Sequence, residues 1–132
     1  MNKIKLILEL VLIITLTTFA QKKLTDYVNP FIGTGGHGHT FPGASMPFGM
    51  VQLSPDTDTE GWDWCSGYHY SDKSIIGFSH THLSGTGCGD YGDILIMPIT
   101  GELKTEPGTK ENPDSGYRSR FNHSKEYAKP GY

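Results

Sequence analysis

The chain has 132 residues and a formal net charge of −3, and its lysines and arginines form no basic run or stripe, which argues against a nucleic-acid partner. Glycine, at 17 residues, has about twice its usual share, and aromatic residues make up 11% of the chain. This composition favours a β-rich domain with many tight turns over a helical bundle.

The N-terminal segment predicts a secretory signal peptide over residues 1–20. Two lysines precede an apolar run at residues 10–16, and small residues stand at the positions that a signal peptidase reads before a cut after Ala20. The apolar run is too short to cross a membrane, so we expect no membrane span. We therefore expect a mature chain that begins at Gln21 and is exported to the periplasm or the extracellular space.

Three local patterns point to ligands that the surrounding sequence does not support. Residues 33–38 and 87–92 have the glycine spacing of dinucleotide-binding loops, but neither is followed by the helix that would receive the pyrophosphate. Residues 56–61 begin like a calcium loop, but Gly67 stands at position twelve, where a bidentate glutamate is needed. We expect an acidic surface turn there, with an irregular calcium site as the alternative.

Four histidines in two pairs could supply a zinc site. They are His37 and His39 in the first glycine-rich stretch, and His80 and His82 further on. Neither pair is followed at tight spacing by a third histidine or a carboxylate, and we expect the first pair to lie in a flexible loop. Hydrogen bonding, to a ligand or within the fold, is therefore the favoured role.

Residues 61–70 have the composition of a sugar site. Trp62 and Trp64 offer aromatic faces, and Asp63 between them offers a partner for hydroxyl groups. The alternative is that one tryptophan belongs to the core and the other to the surface.

Short strands separated by turn residues are predicted over most of the mature chain. They are residues 49–54, residues 74–83, the apolar run 93–99 and a weaker strand around residues 117–121. We expect the run 93–99 to be buried and, because of Pro98, either to lie at an edge or to end there. A complete sandwich usually needs about seven strands, so we expect a piece of a longer domain.

The predicted strand over residues 74–83 places three side chains in one row, because residues two apart on a strand share a face. The row is Phe78, His80 and His82, and it ends in a glycine-rich turn that allows close approach of a backbone or ligand. It resembles the wall of a site, with a half-buried strand of ordinary polar residues as the alternative.

Two cysteines, Cys65 and Cys88, leave two possibilities open. In an oxidising compartment such a pair can form a disulfide, which would close a loop of roughly two dozen residues. The other possibility is two buried thiols.

Longer blocks follow one another in order between Asp26 and Leu103. They are Asp26-Tyr-Val-Asn-Pro-Phe-Ile-Gly-Thr34, His37-Gly-His-Thr-Phe-Pro-Gly-Ala-Ser-Met-Pro-Phe-Gly-Met-Val-Gln-Leu-Ser-Pro-Asp56, Gly61-Trp-Asp-Trp-Cys-Ser-Gly-Tyr68, and Gly77-Phe-Ser-His-Thr-His-Leu-Ser-Gly-Thr-Gly87 with Asp90-Tyr-Gly-Asp93. Together they resemble the opening of glycoside hydrolase family 92, the exo-acting α-mannosidases found notably in Bacteroidetes.

The resemblance implies a two-domain enzyme, in which an N-terminal β-sandwich precedes an (α/α)6 barrel and the sugar binds between the two. Such an enzyme depends on calcium and removes terminal α-linked mannose with inversion, which requires two separated carboxyl groups. In the family those carboxylates and the main calcium ligands belong to the barrel, which this chain does not reach. By resemblance we therefore expect an all-β fold, a partial antiparallel β-sandwich over residues 21–132.

The expected function is that of the N-terminal fragment of an exported exo-α-mannosidase, an α-1,2-mannosidase, inactive by itself. Its partners would be mannose-containing glycans and the barrel domain of the full-length chain. The resemblance implies no catalytic residue here and a contribution to the rim of the mannose subsite from Trp62, Asp63, Trp64, His80 and His82. The alternatives are a free-standing carbohydrate-binding β-sandwich and a periplasmic hydrolase whose metal is held by the histidine pairs.

Overall fold

The computed structural model describes residues 3–5, 7, 9, 23–45, 48–85, 87–89, 92–125 and 128. Short strands and single turns of 3₁₀ helix are the regular elements between residues 23 and 125. The strands are β1 (Ser54–Asp56), β2 (Ser74–Ile75), β3 (Gly77–Ser79) and β4 (Ser119–Arg120), and the 3₁₀ turns are Leu24–Tyr27, Trp62–Trp64 and Pro113–Ser115.

The strands pair in two small antiparallel sheets. β1 pairs with β3, and β2 pairs with β4. The chain passes from one sheet to the other at Ile76, whose N–H donates to the carbonyl of Asp56 at 2.8 Å. The all-β, antiparallel fold class predicted from the sequence is confirmed.

β1 lies further along the chain than the predicted strand 49–54, and it contains Pro55, which was expected to end that strand. Pro55 stands opposite Phe78 in the register of β1 and β3. Phe78 directs its N–H and its C=O to Ile96 instead, at 2.9 and 3.0 Å. The position opposite Phe78 therefore needs no N–H donor, so a proline is tolerated there.

The prediction of a buried strand at residues 93–99 is wrong. Only one bridge forms in this run, between Ile96 and Phe78. Ile94 is 62% exposed and Ile96 is 55% exposed. The apolar side chains of this run therefore lie on the surface of the described structure.

The buried interior is mainly polar. Its buried apolar side chains, among the residues that the structure describes, are Cys65, Tyr68 and Ile76. The buried polar and charged residues are Thr34, His39, Ser54, Asp56, Thr57, Ser66, Ser74, Ser79 and His82. Because a buried polar group must be hydrogen-bonded to avoid a desolvation cost, this interior depends on its hydrogen-bond network more than on apolar volume.

Aromatic contacts tie the C-terminal part of the described chain to its N-terminal part. The ring of His123 stacks on Tyr70 with centroids 4.0 Å apart, and its Nε2 donates to the Tyr70 carbonyl at 2.7 Å. Phe31 meets both rings edge-on. Residues far apart in sequence thus close one end of the fold.

Among the described residues, no helix combines the length and the apolar character needed to cross a membrane. Of the predicted signal peptide, residues 1–20, only positions 3–5, 7 and 9 are described, and these are helical. The expected cut after Ala20 and the start at Gln21 lie outside the described residues.

Candidate functional site

Trp62 is the centre of a cluster of aromatic, imidazole and carboxylate groups. Its side chain is 55% exposed, and the rings of His37 and His39 lie 4.9 and 4.3 Å from its centroid. The next residue, Asp63, points its Oδ1 at both imidazoles, with His37 Nδ1 at 2.6 Å and His39 Nε2 at 3.7 Å. An open aromatic face beside a carboxylate and two imidazoles is the arrangement that binds a polyol such as a sugar.

Asp63 is held in its ionised form. A carboxylate oxygen can only accept, so His37 Nδ1 must carry the proton of their 2.6 Å hydrogen bond. This hydrogen bond and the charge of His37, partly opposed by desolvation, hold the pKa of Asp63 below its ordinary value of 3.8. Asp63 is thus an acceptor for hydroxyl groups throughout the neutral range.

Backbone contacts hold the loop that carries His37 and His39. Gly38 packs so tightly on the carbonyl of Gly33 that a Cβ there would overlap it. Thr40 N–H donates to the same Gly33 carbonyl at 3.2 Å. Both imidazoles therefore start from a defined backbone position.

The glycine-rich turn after residue 83 approaches this cluster directly. Gly85 N–H donates to the carbonyl of His39 at 2.7 Å, and a Cβ on Gly87 would lie 3.2 Å from Trp62 Nε1. Glycine at these positions lets the backbone come within contact distance, as the sequence indicated.

Trp64 takes no part in this cluster, although only one residue separates it from Trp62. Its Nε1 donates to Asp72 Oδ2 at 2.6 Å, and Lys110 Nζ lies 3.6 Å from its ring centroid. Lys110 also forms ion pairs with Asp58 at 2.9 Å and with Asp72 at 3.3 Å. Lys110 thus covers one face of the Trp64 ring, and the indole packs as part of the fold.

The predicted row of Phe78, His80 and His82 does not form. Strand β3 ends at Ser79, and the chain beyond it is no longer extended in a sheet. Ser79 Oγ lies 3.0 Å from His82 Nε2, so these two side chains meet, while His80 Nδ1 donates to the carbonyl of Ile94 at 2.9 Å. The alternation of a strand cannot be continued past the residue where the strand ends.

His82 forms a buried ion pair with Asp56 of β1. Its Nε2 lies 2.8 Å from Asp56 Oδ1, and its Nδ1 lies 2.6 Å from the carbonyl of Gln52. The carboxylate and the carbonyl can only accept, so the ring satisfies both when each nitrogen carries a proton. Asp56, 3% exposed, therefore does not lie in the surface turn expected from the sequence.

The surroundings of His82 favour its charged form. Burial alone would lower the pKa of this imidazole, but the hydrogen bonds to Asp56 and Gln52 and the charge of Asp56 together raise it above its ordinary value of 6.5. A tilted ring contact adds to the packing, since the Phe41 and His82 centroids are 5.1 Å apart. The Asp56–His82 pair thus connects β1 to the chain beyond β3.

The raised pKa of His82 predicts that the domain loses stability as the pH rises. The folded state binds this proton more tightly than the unfolded state, so the contribution is fully present below pH 6.5. It disappears as the pH passes through the folded pKa. Thermal unfolding from pH 5.5 to 8.5 should show the decline, and His82→Gln should flatten it. His80→Gln is the matched control, and a decline of equal size in His82→Gln would refute this assignment.

Comparison with known proteins identifies the family. Residues 27–132 match the glycosyl hydrolase family 92 N-terminal domain. The chain belongs to glycoside hydrolase family 92. A solved relative, the family 92 α-mannosidase BT3965 from Bacteroides thetaiotaomicron in complex with mannoimidazole, is 60% identical with a TM-score of 0.78. The resemblance read from the sequence blocks is thereby confirmed.

This family 92 chain covers only a small part of its relatives. The match to BT3965 spans 83% of this chain but 14% of the relative, and in a second structure of that enzyme it spans 15%. An uncharacterized secreted glycosidase of Arthroderma benhamiae is 44% identical over 61 residues, which are 46% of this chain and 8% of the relative. The match therefore corresponds to the N-terminal domain of much longer proteins.

No disulfide joins Cys65 and Cys88 in this family 92 domain. Cys65 is buried and Cys88 is exposed, so the alternative of two buried thiols does not hold either. The second cysteine lies on the open glycine-rich turn, which the sequence alone did not reveal.

The histidine pairs do not converge on one centre. His37 and His39 border Trp62, whereas His80 and His82 bond to Ile94 and Asp56. Within the described ranges, no group of three or more His, Cys, Asp or Glu side chains is arranged to hold a metal ion. In the part of the domain that the structure describes, these side chains therefore do not assemble the zinc site that the two histidine pairs could have supplied.

His37 and His39 were not among the predicted substrate-binding residues, although the sequence offered one indication. Both stand in a glycine-rich stretch, where backbone can approach a ligand closely. The hydrogen bond between His37 and Asp63 joins residues that are 26 positions apart, and a local sequence pattern cannot predict a contact across that separation. The structure joins the two segments into one cluster.

Proposed function

We propose that this chain is the N-terminal domain of an exported exo-acting α-mannosidase and supplies one wall of its sugar subsite. Family membership supports the proposal, as does the 60% identity to an α-mannosidase that was solved with mannoimidazole. Terminal α-linked mannose is the proposed substrate, with the α-1,2 linkage as the proposed preference.

The observation that carries the proposal is the exposed ring of Trp62 next to the ionised carboxylate of Asp63. The indole gives an apolar surface on which the C–H face of a pyranose ring stacks, and Asp63 accepts from the hydroxyls at its edge. His37, with its side chain 72% exposed, is within reach of the same ligand. Trp64, His80 and His82 are instead engaged in contacts within the fold.

Asp63 is suited to binding and not to proton donation. A general acid at pH 7 needs a raised pKa, whereas the hydrogen bond from His37 lowers that of Asp63. An inverting reaction further requires two carboxyl groups placed on opposite sides of the bond that is cleaved. We therefore propose that both catalytic carboxylates lie outside this domain and that the domain alone is inactive.

Exposed apolar side chains on the described structure support contact with a further domain of the same polypeptide. Phe48 is 86% exposed, Met50 is 83% exposed and Leu103 is 76% exposed. An apolar groove of about 460 Å³ runs between the sheets, with Phe31 and Phe121 in its walls. Exposed apolar patches mark interaction surfaces. We propose that the barrel domain of the full-length enzyme covers part of this surface.

Calcium dependence, inversion and export belong to the proposal as well. The described residues hold no metal-binding group of three or more ligands, so we propose that the calcium ligands lie in the remainder of the enzyme. The predicted signal peptide supports export, together with the description of the Arthroderma relative as secreted.

Replacing Trp62 tests the proposed subsite. Trp62→Ala in the full-length protein should weaken mannose binding by about ten- to a hundredfold, because it removes the stacking surface. The measurement is the dissociation constant for mannose, together with kcat/KM for an α-1,2-linked mannobiose.

Trp64→Phe is the matched control, since this tryptophan packs beneath Lys110. It should leave the mannose affinity unchanged and lower only the thermal stability. Equal affinities in Trp62→Ala and the unmodified protein would eliminate Trp62 from the subsite. Mannose binding without hydrolysis by the full-length protein would favour the alternative of a carbohydrate-binding sandwich.

A further inference from the structure

His39 has a buried nitrogen without a hydrogen-bond partner among the described residues. Its side chain is 6% exposed, and Nε2 is the atom left without a partner. Asp63 Oδ1 lies 3.7 Å from this nitrogen, which is beyond hydrogen-bond distance. Buried polar groups are nearly always satisfied, so an exception requires an explanation.

The backbone of His39 is held in an unfavourable conformation. Its φ of 51° makes it the one non-glycine residue with positive φ among the described residues. Two contacts hold this conformation. The N–H of Gly85 donates to the carbonyl of His39, and the backbone of Gly38, the preceding residue, packs directly against the carbonyl of Gly33. Strained residues of this kind cluster at ligand sites, where the surrounding structure enforces them.

The orientation of the ring places it at the proposed subsite. The His39 ring stands perpendicular to Trp62, at 90° with centroids 4.3 Å apart. Asp63 Oδ1 is already engaged by His37 at 2.6 Å. The unpartnered Nε2 of His39 therefore lies beside the ring of Trp62. The neighbouring carboxylate of Asp63 is hydrogen-bonded to His37.

We propose that His39 Nε2 forms a hydrogen bond with one hydroxyl group of the sugar bound against Trp62, which makes His39 a specificity-determining residue of that subsite. The inference rests on the function proposed above. A hydroxyl group both donates and accepts, so it satisfies the imidazole in either tautomer. It would also give a role to a histidine in the left-handed conformation inside the cluster.

The test uses the full-length protein and a panel of mannose and its 2-, 3-, 4- and 6-deoxy derivatives. In the unmodified protein, one deoxy sugar should bind about five- to twentyfold more weakly than mannose, in keeping with the loss of one hydrogen bond. In His39→Phe, mannose should bind as weakly as that deoxy sugar, and the difference between the two should vanish. His39→Gln, which keeps a polar group at similar reach, should restore part of the difference.

His80→Phe is the matched control, because His80 donates to the carbonyl of Ile94 and takes no part in the cluster around Trp62, so this variant should keep the deoxy pattern. If His39→Phe weakens every sugar by the same factor and leaves the pattern intact, His39 is only structural and the inference fails. An unmodified protein that binds all deoxy sugars equally also overturns it, whether or not the variants fold. If Trp62→Ala has no effect either, the proposed subsite itself fails.

Discussion

Asp56→Ala is expected to lower the free energy of unfolding by about 3–5 kcal/mol, the usual cost of breaking a buried ion pair. The carboxylate is 3% exposed and lies 2.8 Å from His82 Nε2. Its second oxygen accepts the backbone N–H of Ser79 at 2.9 Å. The substitution would leave the buried imidazolium of His82 without its counter-charge and the buried N–H of Ser79 without its acceptor, and both groups belong to the connection between β1 and β3.

Asp114→Ala is the matched control for the loss of a paired carboxylate. Asp114 bonds to Arg120 at 3.0 Å, but its side chain is 75% exposed and screened by solvent, so we expect a much smaller loss of stability. Urea unfolding of both variants gives the comparison. The double variant Asp56→Ala, His82→Phe should lose less than the sum of the single losses, because the second change removes the stranded charge. Equal small losses for Asp56 and Asp114 would contradict the prediction.

The fold class could be predicted from the sequence, but the positions of the strands could not. Turn residues and alternating apolar residues indicated an all-β domain, and the antiparallel sheets confirm it. The strand around Pro55 was misplaced, because a proline interrupts a strand only where the residue opposite it needs an N–H donor from that position. Phe78 bonds instead to Ile96, a contact between distant segments that no local pattern reports.

Burial of the run at residues 93–99 was wrongly predicted for a related reason. Apolar character predicts burial only if enough of the protein is present to cover the side chains. The described structure leaves Ile94 and Ile96 more than half exposed, and the match spans 14% of the longer BT3965 chain. The apolar character of the run was read correctly, but the described structure leaves these side chains uncovered.

The candidate site was predicted in part. The pairing of Trp62 with Asp63 agrees with the sugar-site interpretation, although their role in binding stays a prediction. Trp64 is the same type of residue two positions further on, yet Lys110 lies over its ring. Side chains at neighbouring positions of a 3₁₀ turn point in different directions, so composition alone could not separate the two tryptophans.

Gly67→Ala is expected to lower the free energy of unfolding by about 2–5 kcal/mol, from two separate causes. Gly67 has φ +83°, where an L-residue is strained by about 1–2 kcal/mol. An added Cβ would also overlap Asp56 Oδ1 and lie 3.1 Å from His82 Cδ2, so the carboxylate could not keep its place beside the imidazolium. Overpacking of this kind typically costs a further 1–3 kcal/mol.

Gly36→Ala separates the two causes. Gly36 has φ +58°, but nothing lies within 4 Å of an added Cβ, so only the backbone strain of about 1–2 kcal/mol should appear. In an Asp56→Ala background, Gly67→Ala should cost no more than Gly36→Ala, because the overlapping carboxylate is gone. Urea unfolding of the four variants measures each cost. If Gly67→Ala lowered the free energy of unfolding by the full amount even without the Asp56 carboxylate, overlap with that carboxylate would not be the cause of the loss.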